Sequence, residues 1–221
     1  MEKLIICGLG VRVPEETTLE SLQALSDCRV VYSDLDDEKG RAFLAGYCRA
    51  LKRPASAAAV LKDAAKSSKD AGSVGLAVWG HPQSSSRLAR DVELAAQKAG
   101  LAYRVFGAIS PIGSVFARSV SFLGGDYGYQ GIQSYDLQTV LDDATAATVE
   151  LPLVLYAERG APAAWKKALR LLAAGYPAGH KARLFAPAGE SEAALEKLSP
   201  GDRCVLLIPP AKPLEVRRTK W

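Results

Sequence analysis

Gly80-His81-Pro82 is the segment of this sequence best suited to chemistry. It follows an apolar run, residues 74–79, and so stands at the carboxyl end of an expected strand, where open α/β sheets bind ligands. Gly80 permits close approach of backbone to a ligand, and Pro82 removes a donor and fixes φ. His81 is either a site residue or a side chain that caps the turn. A second small-residue turn, Gly107-Ala108-Ile109-Ser110-Pro111-Ile112-Gly113-Ser114, again ends an expected strand, residues 101–106, and opens a helix. Ser110 and Ser114 can donate hydrogen bonds there, and the helix N-terminus offers unpaired backbone N–H groups. The plainer account is an ordinary N-cap. A third turn, Gly8-Leu9-Gly10, follows the strand expected at residues 3–7. It lacks the third glycine of a G-x-G-x-x-G fingerprint, because Val13 stands in that place, and this disfavours a nicotinamide site. Taken alone, Gly8 and Gly10 allow a tight exit from the strand.

The elements that must carry these turns alternate. After the first strand, Thr17 with Glu20 forms a capping-box pattern ahead of Leu19, Leu22 and Leu25 on one helical face. Residues 29–33 read as a second strand, and Ala57, Val60, Leu61 and Ala64 make an apolar stripe on a surface helix between residues 50 and 72. Gln83 to Ser86 can cap a helix whose face carries Leu88, Val92, Ala95, Ala96 and Ala99, closed by Gly100. Later segments repeat the alternation: strand 151–157, helix 163–174 stopped by Gly175, strand 183–186, helix 191–198 and strand 203–208. Right-handed βαβ units and a mostly parallel sheet follow. The expected fold is α/β in two lobes, 1–109 and 110–221. Between them, Gly124-Gly125-Asp126-Tyr127-Gly128-Tyr129-Gln130-Gly131 is a compact glycine-rich loop.

Composition narrows the function classes. With 48% hydrophobic and 24% charged residues, the 221-residue chain can bury a core and is not of the disordered type. A net charge of +4, with a basic cluster only at Arg217, Arg218 and Lys220, gives no nucleic-acid footprint, although it suits an anionic small molecule. Cys7, Cys28, Cys48 and Cys204 include no C-x-x-C pair and read as reduced structural thiols; no metal site is expected. No run approaches the roughly 20 apolar residues of a membrane helix, and the N-terminus has no secretory pattern. A cytoplasmic protein is expected.

In order and spacing these motifs resemble the tetrapyrrole methylase superfamily over nearly the whole chain. That family opens with a strand and a G-x-G turn before a T-L helix start, matched by Gly8-Leu9-Gly10 and Thr18-Leu19-Glu20-Ser21-Leu22. It continues with a strand into an acidic loop, matched by Val30-Val31-Tyr32-Ser33-Asp34. A G-D-P turn and a P-G-I-S turn follow, matched by Gly80-His81-Pro82 and by Gly107-Ala108-Ile109-Ser110. Histidine in place of the family's acidic residue, and Val11-Arg12-Val13-Pro14 in the first loop, look more like the borosin-type peptide backbone N-methyltransferases. That likeness extends to Tyr32-Ser33-Asp34-Leu35-Asp36 and Ala42-Phe43-Leu44. The branch carries a Tyr- and Arg-rich catalytic segment before the G-H-P strand, whereas residues 54–69 here contain neither residue type.

The resemblance implies S-adenosylmethionine (SAM) as cofactor, held in a cleft between the lobes. By the same token the cofactor-binding residues are Gly8, Gly10, Gly80, His81, Pro82, Gln83, Ser110 and Pro111, with Leu155, Tyr156 and Ala157 of the second lobe on the adenine side. Tyr32, Asp34, Asp36 and His81 are the expected catalytic groups, as bases or orienters facing the acceptor; a solvated loop is the alternative for Asp34 and Asp36. Tyr127, Tyr129 and Tyr135 form either an aromatic wall for a flat or peptidic substrate or hinge packing. The acceptor is a peptide backbone or a corrinoid or porphyrinoid small molecule, and the protein is expected to be a homodimer, with no nucleic acid or membrane as partner. The rival reading is a catalytically degenerate member that keeps the fold and SAM binding but serves as a binding or partner subunit.

Overall fold

The computed structural model describes residues 2–54, 56–68, 72–119, 131–143, 147–187 and 189–211. Residues 124–130 of the glycine-rich loop, with Tyr127 and Tyr129, and the basic cluster at 217–220 lie outside them. The chain forms two compact units that divide between Ser114 and Val115, each with its own five-stranded sheet.

The first sheet contains β1 (Leu4–Gly8), β2 (Val30–Ser33), β3 (Leu51–Lys52), β4 (Val74–Val78) and β5 (Tyr103–Phe106), in the order β3-β2-β4-β1-β5. All its pairings are parallel, with Leu4 opposite Val74 and Gly8 opposite Val78. Strands covered on both faces must be apolar at successive positions, and every residue of β1 and β4 is buried. Helices α3 (Ala57–Ala65) and α4 (Arg87–Lys98) supply Val60, Ala64, Ala89, Val92 and Ala96 to a core with Leu4, Ile6, Leu76 and Val78. On the opposite face lies α1 (Leu19–Ser26). A Cβ on Gly75 would stand 3.0 Å from both Leu25 and Val31, so glycine in mid-strand permits this close approach. Helix α2 (Glu38–Ala45) follows β2.

Side-chain caps start these helices. Thr18, Asp37, Ser56 and Ser86 each accept a backbone N–H from the first turn. The cap of α1 is therefore Thr18, where the sequence pattern had favoured Thr17; the Thr17 hydroxyl instead donates to the Leu9 carbonyl at 2.9 Å.

The second sheet contains β6 (Gln133–Asp136), β7 (Leu153–Ala157), β8 (Lys181–Ala186), β9 (Gly189–Ala194) and β10 (Cys204–Ile208), in the order β6-β7-β10-β8-β9. Helix α5 (Pro111–Ser119) precedes it, and α6 (Leu137–Asp142) and α7 (Pro162–Ala173) accompany it. Only β6 and β7 pair in parallel; the other three pairings are antiparallel. This corrects the expectation of a mostly parallel sheet for the second unit. The helix expected over 191–198 is likewise replaced by strand β9 and a short 3-10 turn, Leu195–Lys197. The run Glu-Ser-Glu-Ala-Ala-Leu suits a helix, but a tight connection pairs Ala186 with Gly189 and draws the segment into a hairpin. Glu192 then lies 3.3 Å from Lys181 and 3.4 Å from Arg183. Pairing across strands outweighs local propensity here.

The core of this unit gathers around Trp165 of α7, fully buried, whose indole N–H donates to the Gly201 carbonyl at 2.8 Å. Buried Gln133 is satisfied on both sides of its amide: it donates to the Thr148 and Leu151 carbonyls and accepts from the Thr148 N–H. No helix among the described residues is long and apolar enough to cross a membrane. Nor is any group of three or more His, Cys, Asp or Glu side chains among them placed to hold a metal ion.

Candidate functional site

The strand order of the first sheet locates a crevice. From β1 the chain leaves toward β2, and from its neighbour β4 it leaves toward β5, on the other side of β1. Neighbouring strands whose connections depart in opposite directions open a gap at their carboxyl ends. Gly10 and Gly80 face each other there and exchange two backbone hydrogen bonds, Gly10 N–H to Gly80 O at 3.3 Å and Gly80 N–H to Gly10 O at 2.8 Å. Both adopt positive φ, +81° and +69°, a conformation that costs a residue with a Cβ about 1–2 kcal/mol.

Gly8 lies at the centre of this junction. A Cβ there would meet the Gly80 carbonyl oxygen at 2.6 Å, the Ala108 Cβ at 2.7 Å and the Pro82 Cδ at 2.8 Å. The three turns singled out in the sequence thus place atoms in one small volume. Gly8, Gly10, Gly80, Pro82 and the Gly107 turn are brought together.

His81 is shaped by its own turn. Its backbone N–H donates to Ser85 Oγ at 3.0 Å, and its Nδ1 accepts the Gln83 N–H at 3.3 Å. A neutral ring that accepts at Nδ1 carries its proton on Nε2, and Nε2 lies against Gly107, 3.2 Å from where a Cβ would stand. The side chain therefore caps the turn and packs its Nε2 edge against the second turn at once. Gln83 is exposed, with its amide 3.4 Å from Glu93. Ser110 accepts the Gly113 N–H at 3.2 Å and so caps α5, while buried Pro111 occupies a first-turn position where a missing N–H costs nothing.

The first loop is fixed from several directions. The Trp79 indole N–H donates to the Val11 carbonyl at 3.0 Å. The Glu16 carboxylate accepts from the Val11 and Arg12 N–H groups and from the Ser114 hydroxyl. Sequence reasoning passed over Glu16, Trp79 and Ser85. A carboxylate in a loop and a tryptophan ending a strand carry no local pattern; only the tertiary partners reveal their part.

The remaining sequence-expected residues lie on other elements. The Tyr32 hydroxyl donates at 3.0 Å to Asp63 of α3, which also pairs with Arg29 at 2.7 Å. Desolvation, reinforced by that hydrogen bond to Asp63, pushes the Tyr32 phenol up; the Arg29 guanidinium holds the Asp63 carboxyl below its ordinary range. Asp34 is buried at the end of β2, 7% exposed. Asp36 is exposed and pairs with Arg53 at 2.7 Å, a surface ion pair of about 0–1 kcal/mol. Tyr135 lies on β6, and Tyr156 and Ala157 on β7 of the second unit, Ala157 buried and Tyr156 half-buried.

Comparison with known proteins places these features in context. The family model described as Tetrapyrrole (Corrin/Porphyrin) Methylases matches residues 3–199. The crystal structure of the methyltransferase CobJ superposes with a TM-score of 0.67 at 15% identity, covering 96% of this chain and 95% of that one. Uroporphyrin-III C-methyl transferase from Thermus thermophilus, solved in complex with S-adenyl homocysteine, gives 0.68 at 17% identity over 93% of this chain and 96% of that one. No curated protein sequence matches the chain.

Proposed function

Because the chain belongs to the tetrapyrrole (corrin/porphyrin) methylases, we propose that it is a SAM-dependent methyltransferase that binds its cofactor at the carboxyl edge of the first sheet. The observation that carries this reading is the junction at Gly8, Gly10 and Gly80. Three glycine-bearing loops are packed so tightly there that a Cβ added to Gly8 would collide with the other two. Glycines that let three loops meet at a switch point suit a site built from loop backbone at the strand ends.

When bound, SAM supplies an electrophilic methyl group on a sulfonium, so the protein needs chiefly to align the acceptor and to handle a proton. His81 offers its Nε2 proton, Ser110 its hydroxyl, and the exposed Gly107 its backbone as contacts. Asp34 is the acidic group suited to orient an acceptor or take its proton, since it is buried at the same sheet edge. Tyr32 serves in that role only by exchanging its bond to Asp63.

The acceptor we propose is a corrinoid or porphyrinoid small molecule or a peptide backbone. A second reading, a SAM-binding partner subunit without transfer activity, is favoured by one observation. Within residues 54–69, which lack Tyr and Arg, the chain forms α3, whose buried side chains pack into the core. Calorimetric titration with SAM and with S-adenosylhomocysteine (SAH), followed by transfer of labelled methyl to corrinoids, porphyrinoids and peptides, separates the readings. Absence of binding by either cofactor form overturns both. Binding without transfer to any acceptor supports the partner subunit. We also propose a homodimer, which sedimentation velocity tests directly.

A further inference from the structure

Glu16 has no part in the chemistry above, yet it is the most heavily engaged carboxylate of the first loop. Oε2 accepts from two consecutive backbone N–H groups, Val11 at 2.9 Å and Arg12 at 3.2 Å. Oε1 accepts the Ser114 hydroxyl at 2.6 Å, across 98 positions of sequence. An O–H donor this close to a carboxylate belongs to the strong, charge-assisted class. The Glu16 backbone also closes its own loop, its N–H donating to the Arg12 carbonyl at 2.9 Å. It crowds Gly10 as well: a Cβ on Gly10 would stand 2.5 Å from the Glu16 Cβ and 2.8 Å from its carbonyl oxygen. One residue therefore touches the Gly8–Gly10 turn and the first turn of α5.

Two adjacent N–H groups pointing at one oxygen form a small anion-binding nest. In this chain an internal carboxylate fills it, so the loop presents its glycine backbone to a ligand and keeps the Val11 and Arg12 donors occupied. We infer that Glu16 is a positioning residue: with Ser114 it latches the Gly8–Gly10 turn to the start of α5, sets the spacing of the two turns, and so controls affinity for SAM. This assignment rests on the cofactor reading given above. It acts through the loops, without requiring contact between Glu16 and the cofactor.

The side-chain chemistry makes a specific forecast. Glutamine can direct its carbonyl oxygen at the two N–H groups and donate its amide to Ser114 Oγ, which is able to accept. Alanine can do neither. The test uses Glu16→Ala, Glu16→Gln, Ser114→Ala and, as a stability control, Thr18→Ala, which removes the α1 cap. Three quantities are read: amide hydrogen exchange of segments 9–14 and 107–114 without cofactor, SAH affinity by calorimetry, and Tm.

Glu16→Ala is expected to speed exchange in both segments and to weaken SAH binding about tenfold or more, the scale of one charge-assisted hydrogen bond. Glu16→Gln should recover affinity to within about threefold, since only the charge is lost. Thr18→Ala should lower Tm with SAH affinity unchanged. If Glu16→Ala does not fold, Ser114→Ala, which deletes one hydroxyl, carries the same test. Wild-type SAH binding together with unaltered exchange and affinity in Glu16→Ala overturns the assignment alone. An equal loss of affinity in Thr18→Ala also overturns it, by showing a general effect of stability. If the wild type binds no SAH, the methyltransferase reading falls and takes the assignment with it.

Discussion

Replacing Gly8 by alanine tests the glycine junction most directly, because its backbone lies outside the positive-φ set and the whole penalty is steric. The added Cβ would lie 2.6 Å from the Gly80 carbonyl oxygen, and ordinary contact begins at 3.4 Å, so that loop must retreat by about 0.8 Å or the strand must shift as far. Ala108 and Pro82 block the alternative directions at 2.7 and 2.8 Å. Overpacking of this kind costs about 1–3 kcal/mol, which for a chain of this size lowers Tm by roughly 3–9 °C. The functional cost is larger than the stability cost, because displacements approaching 1 Å can reduce rates by about 100-fold. The assay pairs calorimetric SAH affinity with Tm for Gly8→Ala and for Gly201→Ala, whose Cβ meets nothing within 4 Å. Gly8→Ala should lose at least about tenfold in affinity, and Gly201→Ala should stay within about 0.5 kcal/mol in stability. Wild-type affinity and Tm in Gly8→Ala would refute the argument that the three loops define the site.

Trp165→Ala should destabilise the second unit by about 3–5 kcal/mol, and Trp165→Phe by about 1–3 kcal/mol through the unsatisfied Gly201 carbonyl, both measured by denaturant unfolding. Asp63 has a folded pKa below its usual 3.8 because Arg29 hydrogen-bonds to it; its stabilisation is present above that range and lost as pH falls through the lower folded value. Stability curves of wild type and Asp63→Asn should therefore separate at neutral pH and converge below about pH 4. Burial pushes the Cys48 thiol to about 11, Cys28 to about 12 and Cys7 higher still. Since the thiolate is the nucleophile, iodoacetamide on the native protein should label half-buried Cys48 before Cys28 and Cys7, as mass mapping would show.

The sheet edge that carries the site was legible because β1 and β4, parallel strands buried along their whole length, leave continuous apolar runs, and each ends at a glycine turn. Gly80 and Gly10 could be singled out, and so could Ser110, whose position before Pro111 marks a helix start. Their mutual contacts could not: that Gly10 and Gly80 bond to one another depends on β4 lying beside β1, an order the chain does not spell locally. The contact made by Tyr32 was hidden for a related reason. Its place near the end of a strand suggested an active edge, but alternation turns its side chain toward α3, where Asp63 receives the hydroxyl. The hairpin of β8 and β9 escaped because its residues favour a helix when read alone. Membership of the family, by contrast, rests on motif order, which survives at low sequence identity.

The paired hydrogen bonds of Gly10 and Gly80 bear also on how the first unit assembles. They join positions about seventy residues apart, and closing a loop of that length costs roughly 4 kcal/mol of chain entropy beyond a constant. Among its described residues the enclosed segment holds β2, β3, β4 and three helices, so the junction exists only once that whole segment has been brought home. Contacts of such long range form late and slow folding. A ligand captured at the junction therefore selects chains that have completed this closure, and its binding signal would serve as a clock for the final folding step of the first unit.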